Sequence, residues 1–164
     1  MPVSPASFIR FWRERVFTLI LSQLMQGVTP HKIALTISLG FSLGIFPVLG
    51  ATTTLCVIVG VWLRLNQPII QLVNWLVYPL QLAWLLLFIR LGEWMMHAPP
   101  LGFSISAMLQ SLHGSPAKFL QLFGLAAVRG TIGWLLVAPC LSAAAYAVLL
   151  PPLKRLATLK TPAS

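Results

Sequence analysis

The chain has 164 residues, 58% of them apolar and only 8% charged, with eleven Lys and Arg against two acids and a formal net charge of +9. An ordinary soluble domain carries roughly a quarter of its residues as charges, so this composition excludes that class, and no length remains beside the apolar blocks for a separate catalytic module. The chain contains no Asp, which rules out an Asp-containing triad, a two-Asp site and a carboxylate-rich Mg²⁺ site.

A charge this high would suggest nucleic acid in a soluble protein. The placement argues otherwise. Lys32, Arg64, Arg90, Lys118, Arg129, Lys154 and Arg155 bracket charge-free runs instead of forming a basic stripe interleaved with aromatics. Anionic lipid headgroups are the partners such flanking cations meet, and nucleic acid is not an expected partner. The whole of 1–164 reads as one all-α integral membrane domain, multi-pass, with its N-terminus cytoplasmic.

In chain order, residues 7–26 place Phe8, Phe11, Trp12, Leu19 and Ser22 at helical spacings, with Arg10, Arg13 and Glu14 grouped elsewhere. This pattern predicts an amphipathic helix lying in the membrane interface. Arg10, Arg13 and Arg15 precede a short apolar stretch without a small-x-small cleavage site, so the segment is expected to be retained. Gly27 ends it, and Thr29-Pro30 starts a new helix, because a Thr hydroxyl caps free amides and Pro suits the first turn. Ser115-Pro116 repeats that punctuation.

From Ile33 to Leu63 no residue is charged, and the middle reads Gly44-Ile-Phe-Pro47-Val-Leu-Gly50. A straight helix over that run would be about 46 Å long against a hydrocarbon core of about 30 Å. Folded back at Pro47, residues 30–63 make a broken, re-entrant hairpin. The run Leu65–Ile89 contains Pro79 and echoes the first at an offset of thirty-two residues: Lys32 aligns with Arg64, Phe46-Pro47 with Tyr78-Pro79, Ser42 with Asn74, and Gly60 and Trp62 with Gly92 and Trp94. The echo predicts a second broken hairpin over 65–92, with Lys32, Arg64 and Arg90 all on one face. An interfacial linker over 95–115 follows. Residues 116–153 then form a C-terminal hairpin turning near Pro139, which keeps Lys154 and Arg155 on the cytoplasmic side.

Candidate site residues gather at these breaks. Thr52, Thr53 and Thr54 follow the first one and can cap a half-helix whose free amides point to mid-membrane. The same hydroxyls can instead satisfy backbone groups that a break leaves unpaired in lipid. Arg129 reads either as an intramembrane anion ligand or as an interfacial residue snorkelling to headgroups. Asn74, Tyr78 and Gln81, with Gln71 a turn earlier, make a polar stripe at helical spacing. It either lines a cavity or hydrogen-bonds across helices in a homo-oligomer.

Catalytic and metal signatures are missing. Glu14 sits among cations, Glu93 pairs naturally with Arg90, and His31, His97 and His113 lack ligand spacing. Cys56 and Cys140 lie in apolar runs without a C-x-x-C. No cofactor, metal or enzymatic activity is expected.

The strings Gly27-Val-Thr-Pro30-His-Lys, Gly40-Phe-Ser-Leu-Gly44-Ile-Phe-Pro47-Val-Leu-Gly50, Arg64-Leu-Asn66-Gln-Pro68 and Asn74-Trp-Leu-Val-Tyr78-Pro79-Leu-Gln81 resemble the bacterial membrane proteins catalogued as domain of unknown function 2062. Many members carry an Asn-Pro-x-Thr-like string where this chain has Tyr78-Pro79-Leu-Gln81. The resemblance implies an inner-membrane protein, in some members joined to a family-two glycosyltransferase domain. The mid-membrane helix ends, Arg129, the near-absence of acids and the basic face lead to two expected functions. One is a carrier or flippase for an anionic lipid, such as a polyprenyl phosphate or phospholipid, binding through Arg129, Thr52, Thr53, Thr54, Asn74, Tyr78 and Gln81. The alternative is a non-catalytic membrane partner that docks a glycosyltransferase or other envelope enzyme.

Overall fold

The computed structural model describes residues 28–48, 50–100 and 116–158, together with Thr18. The interfacial helix expected over 7–26 and most of the linker over 95–115 lie outside the described residues. Those described are helical and contain no strand. The elements are α1 (Pro30–Gly44), α2 (Ala51–Trp62), α3 (Gln67–Met95) and α4 (Pro116–Thr158).

Helix α1 starts as its sequence predicts: the Thr29 hydroxyl accepts from the Lys32 amide at 3.3 Å, and Pro30 occupies the first turn. It stops at Gly44, where the amides of Ile45 and Phe46 fold back on the carbonyls of Phe41 and Leu43. Pro47 has no amide to continue the ladder. Gly50 then adopts a left-handed φ of 85°, a conformation that costs a side-chain-bearing residue 1–2 kcal/mol or so, and α2 departs in a new direction. The break expected between Gly44 and Gly50 is present.

The other two breaks are not. Helix α3 runs unbroken through Pro79 for 29 residues, and α4 through Pro139, Pro151 and Pro152 for 43. The second broken hairpin over 65–92 and the C-terminal hairpin over 116–153 are therefore replaced by single helices. The reason is local. A proline deletes one ladder bond and bends a helix, but reversing the chain also needs a residue that takes left-handed backbone cheaply. Pro47 has Gly50 three residues on; Pro79 and Pro139 have no glycine within five residues. The echo at thirty-two residues thus aligns a broken pair, α1 and α2, with one straight helix.

The core has three centres. Ile45, Ile69, Val73, Val77 and Phe88 join α3 to the end of α1. Leu43, Cys56, Leu65 and Ile70 lock α2 onto both. Ile33, Ala34 and Leu153 tie the start of α1 to the end of α4. Helix α1 thus runs alongside α3 in the same sense and antiparallel to α4. Helices α3 and α4 touch backbone to backbone where Gly92 lies on the carbonyl of Arg129 and Gly133 on the carbonyl of Phe88, an approach that any Cβ would block.

These pairings give the bundle two ends. Lys32, Arg64, Lys154 and Arg155 lie at one, and Arg90, Glu93 and Arg129 at the other. Arg90 stands 24 residues beyond Asn66, the N-cap of α3, about 36 Å along the helix. The expectation that Lys32, Arg64 and Arg90 share a face fails because Pro79 does not return the chain. Helices α3 and α4 are both long and apolar enough to cross a membrane, by length and composition, with only 33% and 11% of their most apolar windows buried in the molecule.

Candidate functional site at the helix break

The end of α1 and the start of α2 meet against the middle of α3. Gln81, midway between Gln67 and Met95, donates from Nε2 to the carbonyl oxygen of Phe46 at 2.6 Å. Asn74 donates from Nδ2 to the Thr53 hydroxyl at 3.3 Å, and Gln71 to the Thr53 carbonyl at 3.2 Å. Gln67 completes the series, donating to the Val57 carbonyl at 3.2 Å. The amides of the polar stripe are therefore spent within the chain. The stripe is a ladder of amides on one face of α3 that staples the broken pair.

Two buried acceptors in that ladder remain unused: Asn74 Oδ1 and Gln81 Oε1 have no hydrogen-bond partner, although their residues are 2% and 0% exposed. Asn74 packs directly on Gly44. Such groups each cost about 1–3 kcal/mol when left unpaired in an apolar surround, and they attract a donor.

Of the three threonines, Thr52 is buried, Thr53 takes the two bonds from α3, and Thr54 is exposed. None of them caps α2. Its N-cap is Gly50, with no side-chain hydrogen bond. The left-handed turn at Gly50 takes the N-cap position, so all three threonines fall inside the first helical turn and not at the cap.

Helix α4 closes the break from the other side. Trp134 donates from Nε1 to the Ser42 carbonyl at 3.0 Å, and the Ser42 hydroxyl donates to the Ala138 carbonyl at 3.1 Å. The Trp134 ring meets Phe46 edge-on with centroids 5.0 Å apart. These clamps carry no sequence signature, since a Trp and a Ser separated by 92 residues announce nothing. Gln67 was legible in retrospect as the residue one turn before Gln71.

Arg129 belongs to a different place. It donates to the Pro99 carbonyl at 2.9 Å and lies 3.6 Å from Glu93, whose other carboxylate oxygen is 2.9 Å from Arg90. Its neighbour Gly92 is eighteen residues from Asn74, about 27 Å along α3, so Arg129 and the threonines do not form one anion site. Tyr78 is half exposed and, unlike Asn74 and Gln81, is not buried against the broken pair.

A cavity of about 400 Å³ adjoins the break, walled by Pro47 and Val48, by Leu85 and Ile89 of α3, and by Phe123 and Ala127 of α4. Its size falls within the roughly 300–1,000 Å³ usual for small-ligand sites, and its walls are apolar. No group of three or more metal-ligating side chains exists among the described residues, and Cys56 and Cys140 are free thiols.

A family model described as an uncharacterised protein conserved in bacteria, DUF2062, matches residues 10–161. No curated protein and no solved structure matches the chain.

Proposed function

The chain belongs to this uncharacterised bacterial family, and we propose that it is an inner-membrane carrier or flippase for an anionic lipid, such as a polyprenyl phosphate or phospholipid, working at the α1–α2 break. The membrane setting is supported by lengths. Helices α3 and α4, about 43 and 65 Å long, exceed a 30 Å hydrocarbon core, whereas α1 and α2, about 22 and 18 Å, enter it and return. Exposed Trp62 and Trp94 flank α3 about 40 Å apart, the separation of two interfacial aromatic belts. The richer cationic end, with Lys32, Arg64, Lys154 and Arg155, then faces the cytoplasm, and so does the N-terminal side of α1.

The observation that carries the reading is the meeting of two half-helix ends at mid-depth beside an apolar cavity. Transporters place broken helices there because half-helix termini offer polar groups where lipid offers none. The start of α2 has no side-chain cap, the buried oxygens of Asn74 and Gln81 have no partner, and the cavity suits a hydrocarbon chain. No enzymatic activity, metal or cofactor is part of this reading.

The test is translocation in proteoliposomes, read with a fluorescent phospholipid and an impermeant quencher. Wild type should accelerate quenching of the inner leaflet, and Ala127→Trp, which fills the cavity, should abolish the acceleration without altering the melting profile. A wild-type rate equal to protein-free vesicles sinks the proposal. The commitment of Gln71, Asn74, Gln81 and Arg129 to internal bonds favours a second reading, a rigid membrane partner docking a glycosyltransferase or other envelope enzyme. That outcome predicts no translocation and co-purification of such an enzyme.

A further inference from the structure

We propose that the cleft between α1 and the C-terminal half of α4 is a binding site for the phosphate of an anionic phospholipid. It rests on the reading that α3 and α4 cross a membrane but not on any transport. The cleft encloses about 330 Å³, with His31 and Lys32 at its mouth, Tyr146 across from them, and Leu35 and Ala143 along its floor. His31 Nδ1 and the Tyr146 hydroxyl are 2.7 Å apart, so the two helices are cross-linked at the mouth. One ring nitrogen of His31 remains directed away from that bond.

The Lys32 side chain is exposed and makes no hydrogen bond or ion pair among the described residues. The chain holds only two acids. Glu93 is engaged by Arg90 and Arg129 at the opposite end of the bundle, about 40 Å from Asn66 along α3. Lys154 and Arg155 follow Leu153, which packs on Ile33 and Ala34, so they add positive charge at the same end. Among the described residues no carboxylate lies at this end, and a concentration of cations draws counter-anions to it.

The geometry selects the source. Beneath the cationic mouth the floor is apolar, which a free phosphate ion cannot use and an acyl chain can. Ser142 adds a polar group to the lining, whereas Ser38 is buried with its hydroxyl donating to the Leu35 carbonyl. Juxtamembrane cations favour anionic leaflets in the same sense, each by a modest amount, and here Lys32 lines the pocket while Lys154 and Arg155 stand at the same end of the bundle.

The test is native mass spectrometry of the purified full-length protein in detergent, titrated separately with phosphatidylglycerol, phosphatidylcholine and inorganic phosphate. Wild type should retain phosphatidylglycerol at one tight site, about tenfold or more above phosphatidylcholine, and inorganic phosphate should not displace it. Lys32→Glu should lose that preference, and Tyr146→Phe, which removes one oxygen and keeps the packing, should weaken retention severalfold. Lys154→Glu changes the net charge equally but lies outside the cleft, and should leave the tight site intact. Equal retention of the two lipids by wild type, equal losses in Lys32→Glu and Lys154→Glu, or displacement by inorganic phosphate each overturns the proposal. Tight retention without translocation in vesicles would overturn the carrier reading alone.

Discussion

Gln81 reaches 2.6 Å from its Nε2 to the carbonyl oxygen of Phe46, so a side chain at the midpoint of the straight helix α3 satisfies the backbone at the bend between α1 and α2. A bent segment in an apolar setting must have its carbonyls paired from outside, and here a neighbouring helix supplies the donor.

Replacing Gln81 by Leu leaves that carbonyl buried without a partner. The cost should be about 1–3 kcal/mol, seen as a fall of roughly 3–10 °C in the melting temperature of the detergent-purified protein. Gln81→Asn, one methylene shorter, should lie close to Leu, because the donor no longer reaches Phe46. A melting temperature unchanged in Gln81→Leu would mean that the bend is satisfied some other way.

The glycine crossing of α3 and α4 tolerates no side chain. A Cβ on Gly92 would enter the Arg129 carbonyl and one on Gly133 the Phe88 carbonyl, both backbone atoms that cannot swing aside. Gly92→Ala and Gly133→Ala should each destabilise by about 1–3 kcal/mol or more, while Gly124→Ala, facing open space, should be neutral or slightly stabilising. Circular dichroism melts of the three variants decide the matter.

Glu93 is the hub of the ion triad. Its side chain is only 5% exposed, whereas Arg90 is 56% exposed. Glu93→Gln leaves the buried Arg129 guanidinium without a carboxylate and should cost about 2–4 kcal/mol, against less than about 1 kcal/mol for Arg90→Ala, whose contact is screened by solvent. Both losses should be measured at low and high salt. A strong salt dependence is expected for the Arg90 variant only.

Sidedness follows from the unbroken α3. On a Cys56→Ala, Cys140→Ala background, single cysteines at Lys32, Arg64 and Arg155 should label from one side of the membrane, and those at Arg90 and His97 from the other. Arg64 and Arg90 labelling from one side would contradict a crossing α3 and restore a second re-entrant hairpin.

How much of this was legible in the sequence depends on range. The start of α1 at Thr29-Pro30 and the break between Gly44 and Gly50 were legible, since cap, proline and glycine act within a few residues. Pro79 and Pro139 misled because a proline by itself permits a bend without imposing a reversal. The stripe of Gln71, Asn74 and Gln81 was visible as an anomaly in an apolar run, but its partners were not, because Thr53 and Phe46 belong to a different helix. Arg129 showed its cost in a membrane segment and hid its remedy: Glu93 had an adjacent claimant in Arg90, and spacing along one helix cannot reveal a second cation arriving from another. The crossing at Gly92 and Gly133 was wholly silent, since glycine spacing in two separate segments records no pairing.

The bend between α1 and α2 also imposes an order of events. Phe46 waits for Gln81, which is synthesised 35 residues later, and the Ser42 carbonyl waits for Trp134, 92 residues later. Until those donors emerge, the first hairpin carries unpaired carbonyls that the hydrocarbon would penalise by several kcal/mol each. In a membrane-inserted chain the segment made first would be the last to sink into place, so a chain truncated before Trp134 should remain sensitive to protease at its bend.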